Sequence, residues 1–528
     1  MRSLTELKST VQRALRLLAR ARDVREAEVY ASSTGQLTCR LNYTSQIPCN
    51  GVEEPKSSEH FGVSIRAVFT GTGASASTPG GAPRIGFGSE ARDLSVRGLQ
   101  RAIEKARSNA VPDPDFVSLP APDSLAAGKK VAAYHDRRIM DVTDGTLVET
   151  GWQVVNEALK SFSSSEPLAK LAGSREKLAA LGLIVGGDVT LFRQRVALAS
   201  THAPKVRTDE STFVTSAITA MVERKQAKGS GYATATHLAH FRGETGSQAA
   251  AGAIRSAGGQ RLPSGTYPVV LGPQPVADLM TNVILPSLSA DAFFSSRSAF
   301  LGELGRPVAS DLLSIYDHGA AKGLVGTRAI TCEGFPTGRT DLIKRGVLEG
   351  LLSCHYETGR LLRDPQARQK LGVSPQDHLD ALAPRNGFRL SSRGGRQFDV
   401  PPGIAATNVC IEGVDPHTTD SLLRFVGDGV YIGRIWYTYP MNGLRAGDFT
   451  CTIVGDSYLI RNGKLAAPLQ PNTIRITGNI KALLTNVVGV TKRATPLVGW
   501  GADEVIYAPE IAVRELQLTE IAQFMEAV

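Results

Sequence analysis

Apolar residues recur at Leu4, Leu7, Val11, Leu15 and Leu18, between Lys8, Arg13 and Arg16. Steps of three and four keep one helical face apolar, so Met1 to Asp23 predicts an amphipathic first helix rather than a signal peptide. Glu6 and the direct run into a strand-like segment favour that helix over a transit peptide. Ala27–Ala31 and Gln36–Leu41 then alternate like strands, and Gly62–Phe69 puts Val63, Ile65, Ala67 and Phe69 on one face. From Asp93 to Ala110 the period turns helical, with Leu94, Leu99, Ala102, Ile103 and Ala106 on one stripe and Ser95 as cap. Val111-Pro112-Asp113-Pro114-Asp115 ends it. Thr146–Phe162 reads as a helix, Leu191–Leu198 and Ser211–Arg224 as strands, Gly231–His240 as a polar stretch and Ser247–Ser256 as an Ala-rich helix. This succession predicts an N-terminal α/β domain with a mixed sheet over residues 1–260.

Past that point Gly265–Leu271 is strand-like and Pro275–Leu288 a largely apolar helix. From Ile315 onward strand and turn signals dominate, as in Gly346–Leu352, Gly429–Tyr439, Asp448–Ile460 and Thr473–Ile476, with Arg461-Asn462-Gly463-Lys464 suited to a hairpin. Residues 261–528 therefore predict a β-rich domain, sandwich or barrel-like, and the whole chain an α+β protein.

Composition narrows the function classes. The chain has 528 residues, 42% hydrophobic and 21% charged, which excludes intrinsic disorder. No apolar run approaches the ~18–20 residues of a bilayer span, so a cytoplasmic protein without membrane contact is expected. The formal charge of +9 is spread over Arg13–Arg25, Arg137-Arg138, Arg360–Arg368 and Arg385–Arg396. No aromatic-interleaved basic patch or zinc-finger spacing turns it into a nucleic-acid site, so nucleic acid is a disfavoured partner. The six cysteines (Cys39, Cys49, Cys332, Cys354, Cys410, Cys451) are scattered without a CxxC pair, as ordinary thiols are.

Candidate chemistry is sparse. Gly71-Thr72-Gly73-Ala74-Ser75-Ala76 fits a GxGxxA fingerprint, but Ser77-Thr78-Pro79-Gly80 follows, and no helix opens there to meet a pyrophosphate. His237 and His240 stand three apart, yet Thr234 and Thr236 argue against a helix that would present both to a metal. Cys354-His355-Tyr356-Glu357 gathers three ligand types, but on a strand neighbours point to opposite faces. Asp317-His318-Gly319 reads as a turn, and Cys332, before Glu333-Gly334, as an ordinary thiol. Neither HExxH, HExxxH nor a GxSxG elbow occurs.

The order of segments carries more. Gly62–Phe69 with Gly71 and Gly73 resembles a strand and turn of the TldD/PmbA family. Pro263–Leu271, Ser298–Gly302 with Leu304-Gly305, Val308–Ser310 and Ile315–Asp317 follow in family order. The clearest stretch is Glu333-Gly334-Phe335-Pro336-Thr337-Gly338-Arg339-Thr340-Asp341-Leu342-Ile343, ending in Gly346–Leu348; Thr407-Asn408, Gly447–Phe449, Asn462–Lys464 and Gly478-Asn479 come later. The resemblance implies an α/β domain followed by a β-rich one, and two-chain peptidases in which one subunit holds zinc through an HExxxH helix and a later Cys. Here the corresponding helix reads Ala277–Ile284, with the ligand positions aligned near Leu279 and Ile284, and no Cys stands near Gly499-Trp500-Gly501-Ala502. It therefore implies a PmbA/TldE-like subunit with no catalytic residue and no metal of its own, paired with a TldD-like HExxxH subunit that supplies zinc, and acting on unfolded or modified peptides. Arg339, Asn408, Trp436, Tyr437 and Tyr439, in or beside matched segments, are the candidates for groove lining. Two other classes stay open: an autonomous peptidase or amide hydrolase with a relocated site at His237, His240 or Cys354, and a binding module for nucleic acid or a topoisomerase-type complex.

Overall fold

The computed structural model describes residues 1–41, 51–52, 55–70, 83–122, 131, 134–241, 243–391, 394–499 and 502–521. The GxGxxA stretch, Cys49, Trp500 and Gly501 lie outside the described residues.

The first half is a seven-stranded sheet built from β1 (Val24–Leu41), β2 (Lys56–Phe69), β3 (Arg84–Ala91), β4 (Val111–Pro112), β5 (Leu183–Ser200), β6 (Arg207–Val222) and β7 (Ala227–Ala235), in the order β4-β3-β2-β1-β5-β6-β7. Every pairing in it is antiparallel, where the sequence reading expects a mixed sheet. The helices between β4 and β5 do not make a parallel crossover; they carry the chain from the β4 edge to the far side of β1, where β5 pairs antiparallel, and hairpin neighbours supply the remaining pairs.

Helices cover one face. They are α1 (Leu4–Leu18), α2 (Val96–Ser108), α3 (Arg137–Met140), α4 (Asp144–Ser163), α5 (Glu166–Ala172) and α6 (Glu244–Arg255). Ser3 caps α1 by accepting from the Glu6 amide at 3.2 Å, and Ser95 caps α2 through the Gly98 amide at 3.3 Å. Leu7, Val11, Ala14 and Leu18 of α1 pack with Leu99, Ala102 and Ile103 of α2 over Ala27, Val29, Ala31, Val63 and Ile65. Farther along the same face, Val154, Val155 and Ala158 of α4 with Ala249 and Ala253 of α6 cover Leu37, Cys39, Val189 and Leu191.

On β1 the odd positions thus enter the helical layer. The even positions Glu28, Tyr30, Ser32 and Thr34 are just as buried, because the second half of the chain lies against them. Ala27–Ala31 and Gln36–Leu41 are accordingly one 18-residue strand rather than two.

The second half centres on a thirteen-stranded sheet, with parallel and antiparallel pairings. Its strands are β8 (Gly265–Leu271), β9 (Leu313–His318), β10 (Arg339–Lys344), β11 (Val347–Leu348), β14 (Asn408–Gly413), β15 (Gly429–Ile432), β16 (Arg434–Pro440), β17 (Asp448–Gly455), β18 (Tyr458–Arg461), β19 (Lys464–Pro468), β20 (Ile474–Asn479), β21 (Val487–Val498) and β22 (Val505–Glu520), while β12 (Gly387–Phe388) and β13 (Gly403–Ile404) form a separate hairpin pair. The long β22 is the hub: it pairs antiparallel with β8, β20 and β21 and parallel with β14. The apolar helix expected over 275–288 is α7 (Pro273–Leu279), continued by a π turn over Met280–Ile284 and a last turn at Leu285–Ser287.

Two arginines with no exposed surface clasp the halves. Arg389 reaches Glu28 Oε1 at 2.5 Å, and Glu28 also receives Arg66 at 3.0 Å. Arg396 donates from Nη1 to Asp209 Oδ2 at 2.5 Å, from Nε to Gln194 Oε1 at 2.9 Å and from Nη2 to Ser211 Oγ at 3.0 Å. A cation sealed from water needs this density of partners to offset its lost hydration.

Candidate functional site

Strand alternation builds a cleft of about 410 Å³ where the two halves meet. On β5, Val189 and Leu191 go to the helical layer while Asp188, Thr190 and Phe192 line the cleft. On β7, Gly229 and Gly231 lie flat against α6: a Cβ at Gly231 would come within 2.0 Å of the Thr245 carbonyl oxygen, and one at Gly229 within 2.1 Å of the Ala253 amide. Tyr232 turns to the cleft instead. The opposite wall is Gln274, Ala277 and Asp278 of α7, Arg434 and Trp436 of β16, and Leu497 and Val498 of β21.

At the floor Arg434 Nη1 donates to Thr219 Oγ1 and Ser230 Oγ, both at 2.9 Å. Behind Ser230, burial pushes the Asp456 carboxyl up to about 6, against the pull of Ser230 and Arg434. Burial raises the Asp278 carboxyl as well and lifts the Tyr232 phenol above its ordinary range. Lys228 moves the other way: burial first, then repulsion by Arg434, disfavours its ammonium form. At the rim Asp188 is occupied by Arg40, at 2.8 and 3.1 Å.

The residues at the positions corresponding to the zinc-binding subunit of the family do not fit a zinc ion. The positions aligned with metal ligands, Leu279 and Ile284, are each 3% exposed and belong to the apolar core. The cleft face of α7 is Gln274, Ala277 and Asp278, with one carboxylate and no imidazole or thiolate, where a zinc site needs three or four protein ligands. Among the described residues, no three His, Cys, Asp or Glu side chains converge to hold a metal.

Of the groove candidates only Trp436 lines the cleft. Tyr437 and Tyr439, on the same strand, are 71% and 54% exposed; Tyr437 has a φ of 55° where the β16–β17 register shifts, and this breaks the alternation. Arg339 stands on β10, its guanidinium 3.6 Å over the Tyr316 ring and 2.8 Å from Asp341. Asn408 is fully buried and structural: its Oδ1 accepts from the Gly326 amide at 2.7 Å and its Nδ2 donates to the His318 carbonyl at 3.0 Å. The structure does not bring these five together.

The remaining sequence candidates fall elsewhere. His237 and His240 flank a short turn with their rings 5.3 Å apart. Cys354 through Glu357 is no strand: Cys354 caps the helix His355–Arg363, and burial pushes its thiol up, making it a poor nucleophile. Asp317 and His318 are no turn either but the end of β9, where Asp317 accepts from the Thr407 amide at 2.7 Å, the Thr407 hydroxyl at 2.9 Å and Asn386 at 2.7 Å. Cys332 is buried 3.3 Å from the Tyr30 hydroxyl. The polar stretch Gly231–His240 divides: its first five residues are the end of strand β7, and it closes in a short 3-10 turn at Leu238–His240.

Arg434, Asp278 and Tyr232 escaped the sequence reading. Arg434 left one trace: in Ile432-Gly433-Arg434-Ile435-Trp436 a lone cation shares strand parity with Trp436.

Residues 264–520 match the family model of the PmbA/TldA metallopeptidase C-terminal domain. A metalloprotease of Synechocystis sp. is 27% identical over 227 residues, 43% of this chain and 42% of the relative. A metalloprotease TldD homolog of Buchnera aphidicola subsp. Acyrthosiphon pisum is 26% identical over 212 residues, 40% of this chain and 38% of the relative. The matched stretches thus span under half the length of these curated relatives. The fold is that of TldE from Thermococcus kodakarensis, with a TM-score of 0.72 at 16% identity, covering 97% of this chain and 100% of the other. Together these likenesses support the TldD/PmbA family. No helix among the described residues is long and apolar enough to cross a membrane.

Proposed function

We propose that this chain, whose C-terminal half matches a TldD/PmbA-family metallopeptidase domain, is the zinc-free, TldE-like subunit of a two-chain peptidase acting on unfolded or modified peptides. The cleft between the halves receives a peptide segment, and an HExxxH-bearing TldD-like partner chain brings the metal. The observation that carries this reading is the cleft face of α7: the fold of the family is present, and the wall on which ligands are implied offers Gln274, Ala277 and Asp278. Such a wall binds and orients but has no donor set to activate water through zinc. The cleft otherwise suits an extended peptide, with hydroxyls of Thr190, Thr215 and Ser216 on one side for backbone groups and Phe192, Trp436 and Leu497 for apolar side chains.

Metal analysis and activity assays on the purified chain, alone and mixed with an HExxxH-bearing homologue from the same source, test the reading. The expected result is no stoichiometric zinc and no peptide cleavage by the chain alone, with cleavage appearing in the mixture. One zinc per chain together with cleavage by the isolated chain overturns it.

A further inference from the structure

The guanidinium of Arg434 is engaged along one edge only. Nη1 is committed to the Thr219 and Ser230 hydroxyls, which are neutral acceptors, and Nε is buried without a partner. Nη2 has no hydrogen-bond partner among the described residues, and none of their carboxylates lies within the 4.0 Å of an ion pair. A buried or half-buried arginine is ordinarily paired, because an unpaired cation loses hydration with nothing in return. The neighbouring carboxyls do not supply the missing charge directly: Asp456 stands behind Ser230, and burial pushes both it and Asp278 toward the neutral form. Lys228, disfavoured as an ammonium in part by Arg434, shows the same local shortage of negative charge. Trp436 follows two residues along the strand and also lines the cleft.

We propose that Arg434 is a recognition site for a peptide carboxylate, which pairs with its free Nη2 edge while Trp436, Phe192 and Leu497 receive the adjoining side chain. This rests on the peptide-cleft reading above. A guanidinium meets a carboxylate through short, charge-assisted hydrogen bonds, and Thr219 and Ser230 hold the group in place before the ligand arrives. The carboxylate is either the C-terminal one or that of an acidic side chain.

Titration calorimetry of the intact chain with three probes decides the matter: N-acetyl-Ala-Phe-Leu with a free carboxylate, its C-terminal amide, and N-acetyl-Ala-Glu-Leu amide. The free acid is expected to bind roughly ten- to a hundred-fold more tightly than its amide. Recovery of that affinity by the Glu-containing amide means that a side-chain carboxylate is accepted too; no recovery means that the site reads the C-terminus. Arg434→Gln is expected to remove the discrimination and Arg434→Lys to keep part of it. Equal binding of acid and amide overturns the carboxylate site while leaving the peptide cleft standing. Failure of all three probes to bind, with or without the HExxxH partner, overturns the cleft reading itself. The acid–amide comparison uses the unaltered protein and does not depend on any variant folding.

Discussion

Glu333 is fully buried; its Oε2 accepts from the His355 amide at 2.9 Å and its Oε1 has no partner. Burial pushes its carboxyl up to about 7 from an ordinary 4.5, although Arg66 pulls the other way. A raised folded-state value means that the folded chain holds this proton more tightly than the unfolded one. The stabilisation is complete below about 4.5 and is lost as pH rises through about 7. Asp317 and Asp456, both pushed up to about 6, act with the same sign. His318 and His355, held below their ordinary value by burial, act with the opposite sign. The expected outcome is therefore a difference: between pH 5 and pH 8 the native chain should lose on the order of 2–3 kcal/mol of urea resistance relative to Glu333→Gln. Urea midpoints at pH 5, 6.5 and 8 check this; an unchanged slope in the variant speaks against it. Arg396 sets a second prediction. Arg396→Met strands Asp209 as a buried, uncompensated charge and should cost about 3–5 kcal/mol in urea unfolding. Adding Asp209→Asn should restore part of that loss, because the stranded charge is what is costly. Neither effect was legible in the sequence, where Arg396 looked like one more solvated cation in a basic cluster.

Elements were more legible than sites. The helical stripes of α1 and α2 and the Ser95 cap are legible in the sequence, because each helix buries a single face against one sheet; the Ser3 cap of α1 comes from the structure. Where two partners cover an element, pattern reading fails: β1 is buried on both faces, and its polar even positions masked a continuous strand. β7 escaped for a related reason, since Gly229 and Gly231 contribute no side chain to an alternation that nonetheless exists. Their role gives an element-level prediction. Gly231→Ala must push β7 and α6 apart, and should lower stability by about 1–3 kcal/mol in thermal unfolding. Because Ser230 is carried on that strand, the same variant should weaken peptide binding more than Gly258→Ala, a change at a site with nothing within 4 Å of an added Cβ but with a φ of 82°.

For the molecule as a whole, the arrangement of two halves around a cleft makes function a matter of assembly. Removing the interface clasp should therefore affect binding as well as stability. In Arg389→Met the segment after β12 loses its tie to Glu28 on β1, the strand paired with β5 of the cleft wall, so peptide affinity should drop at temperatures where the chain is still folded by circular dichroism. Unaltered affinity there would show that the clasp and the cleft are independent. Sequence by itself determined the α+β class, the principal helices and strands, the family resemblance and the absence of an HExxxH motif, since each rests on local period or on the order of short segments. The tertiary structure alone decided which face of α7 meets the cleft, that Trp436 lines it while Tyr437 and Tyr439 do not, and that Arg434 stands there half-satisfied. Those depend on a register shift in one strand and on contacts between residues some two hundred positions apart, and such contacts leave no periodic trace along the chain.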